Sequence, residues 1–245
     1  MGDTRLHETV LDAADRIRRL QVQGARNVAI AAIKAIETGA NKSHAKTKQT
    51  FLDELTDAKT VLFASRETEP LMRNAIRHIL HAVETSKQES VEALVDVVSR
   101  VSSSFLENLE QSKERIASVG SKRISNGSRV LTHCHSSTVT NMLRKAKAEG
   151  KSFTVVCTES RPVFQGRLTA KELLDAGIET TMIVDSAVRY FVNDVDLVVV
   201  GADAITSEGN VINKIGTSMV ALAAKEARTP FYVATELLKF DPVTV

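Results

Sequence analysis

One thiol and one carboxylate in this 245-residue chain have the surroundings that proton-transfer chemistry needs. Cys134 lies next to three hydroxyl residues that predict a helix N-terminus, where the helix dipole lowers a thiol pKa and favours the thiolate. Asp203 follows the apolar run 197–200, and a carboxylate at the mouth of a buried strand is partly desolvated, which suits a proton shuttle. A buried structural cysteine and a capping aspartate are the alternatives. Asp185 has the same two interpretations, and there the cap is favoured.

Two histidines flank Cys134 and raise the question of a metal site. In a strand, His133 and His135 would share a face while Cys134 points the other way. No second pair of ligands at zinc spacing occurs elsewhere in the sequence. We therefore expect hydrogen-bonding or packing roles for both histidines and no metal. Cys157 lies within a β-branched run and is expected to be a core residue.

Basic side chains and helix N-termini are candidates for binding phosphate. Lys214 and Lys239 could pair with phosphate oxygens, and the alternative for both is a solvated surface lysine. The backbone N–H groups at Ser136–Thr138 suit a phosphate, and ordinary helix capping is the alternative there. The motifs GxGxxG, GxxxxGK[ST] and GxSxG are absent, so dinucleotide-binding, P-loop and α/β-hydrolase functions lack support.

The hydrophobic pattern changes near residue 125. Before it, helical spacing predicts helices near residues 11–22, 28–36, 47–62, 70–85 and 89–119, with Gly39 and Gly120 as helix stops. After it, predicted strands at 129–133, 153–158, 180–185, 196–201 and 230–234 alternate with predicted helices at 139–148, 169–176 and 218–228. Alternating apolar strands and helices are typical of a parallel sheet covered on both faces. We predict an α/β protein: a helical N-terminal domain (1–125) followed by a Rossmann-like, mainly parallel sheet domain (126–245).

The loops that follow the predicted strands should meet at one edge of such a sheet, where ligands bind in open α/β folds. They carry the Cys134 thiol, the Asp203 carboxylate, Lys214, Lys239, two arginines and several hydroxyl groups. That set suits an anionic small molecule that undergoes proton transfer.

Composition excludes several function classes. Hydrophobic residues at 43% and charged residues at 25% are ordinary for a globular protein, which rules out disorder. The net charge of +2 without a basic stripe, and aromatic residues at 4%, disfavour nucleic-acid binding. No apolar run is long enough to span a membrane, and the N-terminus is not a secretory signal. A chain with only two cysteines cannot form a disulfide framework, so we expect a protein of the reducing cytoplasm.

Four long strings resemble one superfamily. It contains the regulatory subunits of translation initiation factor 2B, methylthioribose-1-phosphate isomerase and archaeal ribose-1,5-bisphosphate isomerase, and the last is the most similar. The matching strings are VLTHCHSS (Val130–Ser137), TESRPVFQGRLTAKEL (Thr158–Leu173), VVGADAITSEGNVINKIGT (Val199–Thr217) and PFYVATELLKF (Pro230–Phe240).

The resemblance implies conversion of ribose 1,5-bisphosphate to ribulose 1,5-bisphosphate in archaeal nucleotide (AMP) salvage. It implies that Cys134 is the carbon acid/base and that Asp203 shuttles the sugar-oxygen proton, a pair that regulatory subunits generally lack. It also implies activation by AMP, no metal or redox cofactor, and a dimer or hexamer. The residues it implies for holding the bisphosphate are Gly24, Ala25, Arg66, Ser136, Ser137, Thr138, Asn213, Lys214 and Lys239.

Departures from the family pattern keep two alternatives open. The isomerases have an arginine at the start of an RGAG-type or RGAP-type loop, and in this chain Gln23 takes its place. Arg26 lies two residues beyond Gly24. Acidic Glu67 follows Arg66, and the sequence stops at Val245 while relatives continue, which indicates a fragment or a lost tail. The first alternative is a non-catalytic regulatory subunit that binds initiation factor 2. The second is a methylthioribose-1-phosphate isomerase.

Overall fold

The helical pattern of the first half folds into five helices. Their bounds are α1 (Glu8–Arg18), α2 (Ala25–Asn41), α3 (Lys48–Ser65), α4 (Pro70–Glu84) and α5 (Val91–Ser121). This computed structural model describes residues 6–242, and it divides the chain into two units. The first unit comprises the described residues up to Leu109 together with those from Leu238 onward. Its core is formed by buried apolar side chains on the inward faces of these helices.

The last described residues, from Leu238 to Pro242, belong to this helical unit. A short 3-10 helix (Leu237–Lys239) is followed by strand β8 (Phe240–Asp241). Arg73 on α4 forms an ion pair with the buried Asp241 carboxylate. The Asn74 side-chain amide donates to the carbonyls of Leu238 and Phe240, both at 2.9 Å. These bonds to α4 fix the segment that contains Lys239.

Two glycines lie inside helices that we predicted them to end. Gly39 is within α2, and a Cβ there would lie 3.3 Å from Val10 Cγ2. Gly120 is within α5, and a Cβ there would lie 2.1 Å from Met142 Sδ. Both glycines therefore allow a neighbouring helix to approach closely, which is a packing role that sequence periodicity does not distinguish from a stop signal. Gly150 and Gly177, by contrast, lie just beyond the ends of two other helices, with φ of +86° and +70°.

The second unit, Glu110–Leu237, contains the predicted α/β fold. Its parallel strands are β1 (Arg129–Thr132), β2 (Thr154–Thr158), β3 (Glu179–Ile183), β4 (Leu197–Val200) and β7 (Phe231–Val233), in the order β3-β2-β1-β4-β7. Its helices are α6 (Ser137–Ala148), α7 (Gly166–Asp175), α8 (Val188–Phe191) and α9 (Thr217–Ala227). The change from helices to strands lies between α5 and β1, whereas the division into units falls within α5.

Alternation along the strands supplies both faces of the sheet with apolar side chains. Val130, Val155 and Val199 pack with α6 and α7 in one cluster. Leu131, Val156 and Val198 pack with α8 and α9 in another. Burial on both faces explains why strands β1, β2 and β4 are largely apolar runs in the sequence. No helix among residues 6–242 is long and apolar enough to cross a lipid bilayer.

A two-stranded insertion follows β4 and is absent from the sequence prediction. Strand β5 (Ala204–Thr206) pairs antiparallel with β6 (Val211–Ile212). Strands of two and three residues are too short to produce a recognisable alternation. The hairpin lies between Asp203 and Asn213, two of the predicted site residues.

Candidate active site

The carboxyl ends of the neighbouring strands β1 and β4 carry Cys134 and Asp203. The two strands pair directly, with Val130 opposite Leu197. Strands β2 and β3 lie on one side of β1, and β4 and β7 lie on the other, so the strand order reverses between β1 and β4. A crevice forms outside the sheet at such a reversal because the two loops leave in opposite directions. The predicted thiol and carboxylate therefore flank the place where this fold binds ligands.

The loops that follow β1 and β4 lie in close contact at Ser136 and Gly201. A Cβ on Gly201 would lie 2.6 Å from Ser136 Oγ, so only glycine fits at position 201. Ser136 is the N-cap of α6, and its hydroxyl accepts a hydrogen bond from the Val139 N–H at 3.4 Å. The capping role that we considered for Ser136 is thus present. Ser137 at the start of α6 is exposed, whereas Thr138 is buried.

Cys134 is held in a constrained position. Its φ of +67° is in the left-handed region, which costs a non-glycine residue about 1–3 kcal/mol unless the surroundings enforce it. The Cys134 N–H donates to Ser160 Oγ at 2.8 Å, and its carbonyl accepts from Thr169 Oγ1 at 2.9 Å. Only 9% of the residue is exposed. Both backbone polar groups of Cys134 are therefore satisfied by side chains from the neighbouring loop and helix.

Burial raises the pKa of the Cys134 thiol. The His135 backbone N–H and the Lys214 ammonium act in the opposite direction, while the Asp203 carboxylate adds to the increase. The lowered pKa that we predicted from the helix N-terminus is therefore wrong, because removal of the sulfur from water outweighs the positive groups around it. At neutral pH Cys134 is a thiol, and both Asp203 and Lys214 are near enough to act on it electrostatically.

The two histidines have the hydrogen-bonding roles that we predicted. His133 is buried, with Nδ1 2.7 Å from Thr158 Oγ1 and Nε2 2.8 Å from the Ile215 carbonyl. His135 Nδ1 lies 3.1 Å from Thr169 Oγ1. Within residues 6–242 no three acidic, histidine or cysteine side chains are arranged to hold a metal ion. Cys157 is fully buried in β2, as predicted.

The segment that leads into α9 packs against His133. Gly216 has φ +98°, and a Cβ there would lie 3.0 Å from Cε1 of the His133 ring. Asn213 Nδ2 donates to Thr217 Oγ1 at 3.0 Å, and that hydroxyl donates to the Lys214 carbonyl at 2.7 Å. These bonds place Asn213 and Lys214 at the same sheet edge as Cys134.

Asp185 accepts backbone hydrogen bonds, but not as the cap of its own helix. Its two carboxylate oxygens accept from the N–H groups of Ser160 at 2.8 Å and Arg161 at 2.7 Å. The carboxylate thereby stabilises the loop after β2 instead of the turn that begins at Asp185. Sequence analysis did not identify Ser160, which is fully buried, has φ +59° and contacts Cys134. Nothing in its spacing marks it, because the contact crosses from one strand end to the next.

The remaining predicted binding residues belong to the helical unit. Gly24, with φ +83°, is the N-cap of α2, and Ala25 is the first residue of that helix. Arg66 Nε lies 2.8 Å from Oε1 of Glu69, a carboxylate that is only 1% exposed. Lys239 is 6% exposed, so the surface-lysine alternative is wrong for it.

The side chain of Arg26, which follows Ala25 in α2, bonds to the backbone of another helix. Its Nη1 donates to the Leu109 carbonyl at 2.8 Å. The guanidinium group is therefore engaged with the backbone of α5.

Comparisons with known proteins agree with this arrangement. The model of the initiation factor 2 subunit family matches residues 21–245. The chain is 46% identical to the ribose 1,5-bisphosphate isomerase of Archaeoglobus fulgidus, over 97% of this chain and 74% of that protein. It is 36% identical to the methylthioribose-1-phosphate isomerase of Pelotomaculum thermopropionicum, over 94% of this chain and 66% of that protein. The crystal structure of translation initiation factor eIF-2B from Pyrococcus horikoshii matches with a TM-score of 0.88 at 32% identity, covering 98% of this chain and 82% of that one.

Proposed function

Because this chain belongs to the initiation factor 2 subunit family, we propose that it is an aldose–ketose isomerase that converts ribose 1,5-bisphosphate to ribulose 1,5-bisphosphate. The observation that carries the proposal is the placement of Cys134 and Asp203 at the carboxyl ends of adjacent strands, where the strand order reverses. A thiol and a carboxylate at neighbouring strand ends supply the two proton-transfer groups that this isomerisation requires.

The reaction moves four protons in a balanced way. One proton leaves C2 of the sugar and one arrives at C1, while the ring oxygen gains a proton as the ring opens and the C2 hydroxyl loses one. We assign the two carbon transfers to the Cys134 sulfur and the two oxygen transfers to the Asp203 carboxyl group. Each group then ends the cycle in the protonation state in which it began, so no redox cofactor or metal enters the scheme.

Binding of the two phosphates is assigned to the backbone and cations of the candidate site. The N-terminus of α6, at Ser136, Ser137 and Thr138, offers N–H groups to a phosphate, and Asn213 and Lys214 lie at the same sheet edge. The family resemblance implies bisphosphate binding for Gly24, Ala25, Arg66 and Lys239 as well, all of which belong to the helical unit. AMP is expected to activate the enzyme, which we expect to act as a dimer or hexamer in the cytoplasm.

The alternative of a non-catalytic regulatory subunit has one specific observation in its favour. Arg66, the arginine assigned to phosphate, already forms an ion pair with the buried Glu69. A neutralised arginine attracts a phosphate less strongly than a free one. A regulator that binds initiation factor 2 would not need that attraction.

Product analysis of a substrate panel tests the proposal. The purified chain is incubated with ribose 1,5-bisphosphate, methylthioribose 1-phosphate and ribose 5-phosphate, with and without AMP, and products are followed by NMR. We expect the ketose from ribose 1,5-bisphosphate and faster formation with AMP. Turnover of methylthioribose 1-phosphate alone would establish the second isomerase instead. Absence of any ketose, together with stoichiometric binding to initiation factor 2, would establish the regulator.

A further inference from the structure

The two histidines that flank Cys134 are not used by the proposed reaction. The cysteine between them has a left-handed backbone, with φ of +67°. Its N–H donates to Ser160 Oγ at 2.8 Å, and its carbonyl accepts from Thr169 Oγ1 at 2.9 Å. Both hydroxyl residues are at most 1% exposed, so solvent does not compete for these bonds. Two buried hydroxyl groups therefore hold the peptide groups on either side of the Cys134 Cα.

His135 orients the hydroxyl group that holds the Cys134 carbonyl. A carbonyl oxygen only accepts, so the single hydroxyl proton of Thr169 is donated to Cys134. The 3.1 Å contact between Thr169 Oγ1 and His135 Nδ1 then requires the ring to donate, so His135 carries a proton on Nδ1. The other ring nitrogen, Nε2, lies 3.7 Å from Glu172 Oε1. Thr169 and Glu172 are both on α7, so the His135 ring contacts this helix at two points.

His133 orients the hydroxyl group that holds the Cys134 N–H, and it does so through one intermediate side chain. Its Nε2 lies 2.8 Å from the Ile215 carbonyl and donates there. Burial lowers the pKa of His133, and the neutral ring therefore has a bare Nδ1 that accepts from Thr158 Oγ1 at 2.7 Å. With its proton used on the ring, Thr158 Oγ1 accepts from the Ser160 hydroxyl at 3.2 Å. The Ser160 oxygen is then an acceptor for the Cys134 N–H.

Each histidine thus acts on one peptide group of the cysteine between them. In the series through His133, the donors point away from the Cys134 N–H and towards the Ile215 carbonyl. In the series through His135, they point towards the Cys134 carbonyl. Each donated proton has its own acceptor, so all of these bonds form at the same time. A change in φ would rotate the Cys134 N–H relative to the Cys134 carbonyl, so both series are complete only near the observed conformation.

We propose that His133 and His135 are positioning residues that hold Cys134 in place for proton transfer, an inference that rests on the proposed isomerase function. The two peptide planes and φ together set the direction in which the Cys134 Cβ leaves the backbone. Fixing both peptide groups therefore fixes the point from which the sulfur acts, although neither histidine transfers a proton itself. A displacement of about 1 Å at a reacting group can reduce turnover about 10²-fold. Loss of either series should therefore lower kcat and leave KM nearly unchanged.

Paired substitutions in the full-length chain test the series that contains His135. Thr169→Val keeps the shape of the side chain but removes the hydroxyl group, whereas Thr169→Ser keeps the hydroxyl group. We expect kcat of Thr169→Val to fall about 10–10²-fold with KM within about twofold of wild type, and Thr169→Ser to retain most of the activity. His135→Leu should lose kcat in the same way, and His135→Asn should retain it because the amide can donate to Thr169. A rise in KM without a loss of kcat, or equal losses within each pair, would show that these side chains do not position Cys134.

The series that contains His133 has its own pair of variants, which also serves if Thr169→Val does not fold. His133→Asn supplies an oxygen that can accept from the Thr158 hydroxyl, whereas His133→Leu supplies none. We expect the first to retain kcat and the second to lose it. His133→Leu combined with Ser160→Ala should be no slower than the slower single variant, because both substitutions break the same series. Fully additive losses in kcat would contradict a shared series.

The relative stabilities of Cys134→Gly and Cys134→Ala report the backbone conformation without any substrate. Glycine is favoured over alanine where φ is positive, and alanine is favoured where φ is negative. The urea midpoint of Cys134→Gly should therefore equal or exceed that of Cys134→Ala in the otherwise wild-type chain, and should fall below it when Thr169→Val is added. If no sugar phosphate is isomerised but the order reverses in this way, the proposed function fails and the role in holding the Cys134 backbone stands. If turnover is observed and the order is the same in both backgrounds, the function stands and the positioning proposal fails.

Discussion

Gly201 and Ser136 approach so closely that the space for a side chain at position 201 is already occupied by the serine hydroxyl. The contact places the loop that carries Asp203 directly against the loop that carries Cys134, although the two loops are far apart in the sequence.

Gly201→Ala should therefore damage both stability and activity. The added methyl group displaces Ser136 from its capping position, and we expect the free energy of unfolding to fall by about 1–3 kcal/mol and kcat to fall with it. Urea denaturation and the isomerase assay measure the two effects. Gly150→Ala is the matched control, because no atom lies within 4 Å of its added Cβ and its φ of +86° strains only the backbone. A Gly201→Ala enzyme that is as active as Gly150→Ala would show that the contact does not position the site.

Removal of either proton-transfer group should abolish turnover without unfolding the protein. Cys134→Ser and Asp203→Asn are each expected to reduce kcat by about 10²–10⁴-fold, because each eliminates one of the two proposed proton-transfer groups. Circular dichroism and thermal melting should match wild type. Cys157→Ala, which removes the other thiol from the core, should lower stability by about 1 kcal/mol and leave kcat unchanged. Full activity of Cys134→Ser would remove the sulfur from the mechanism.

Glu69→Gln should destabilise the helical unit. The Glu69 carboxylate is 1% exposed and lies 2.8 Å from Arg66 Nε, so loss of its charge weakens a largely desolvated ion pair. We expect the free energy of unfolding to fall by about 1–3 kcal/mol in urea denaturation. The exposed Glu67→Gln, two residues away, is the control and should stay within about 0.5 kcal/mol of wild type. Equal effects of the two substitutions would show that the buried pair contributes nothing to stability.

Acidification should destabilise the wild-type fold through His133. Burial lowers the pKa of His133 below its ordinary 6.5, so between pH 6.5 and the native pKa the unfolded chain binds a proton that the folded chain does not. The stabilisation that comes from a neutral His133 is then fully present above pH 6.5. The free energy of unfolding falls as pH decreases through that window. Denaturation at several pH values should show a shallower acid dependence for His133→Asn. The exposed His81→Asn should retain the wild-type slope, and a His133→Asn slope equal to it would contradict the prediction.

Sequence patterns located the sheet and its loops because strands β1, β2 and β4 are buried on both faces. The apolar runs that contain Leu131, Val156 and Val198, alternating with helical segments, predict a covered parallel sheet, and that topology places Cys134 and Asp203 at one edge. The hairpin β5–β6 escaped prediction because its strands are too short to show a period.

The properties that the sequence did not reveal depend on contacts between distant segments. The helix N-terminus near Cys134 indicated a lowered thiol pKa, but the sign depends on how many atoms from other strands bury the sulfur. Asp185 was identified as a cap, and only the fold shows that the N–H groups it serves are those of Ser160 and Arg161. In the sequence, a glycine that ends a helix cannot be distinguished from one that lets a neighbouring helix approach closely, as Gly39 and Gly120 do.

The left-handed backbone of Cys134 sets thermodynamic stability and catalytic capacity against each other at a single position. Glycine is the residue that adopts φ of +67° at the least steric cost, so Cys134→Gly would relieve the backbone strain while removing the side chain that the proposed reaction needs. The hydrogen bonds from Ser160 and Thr169, together with the burial of the residue, therefore have to offset the strain that a side chain causes here.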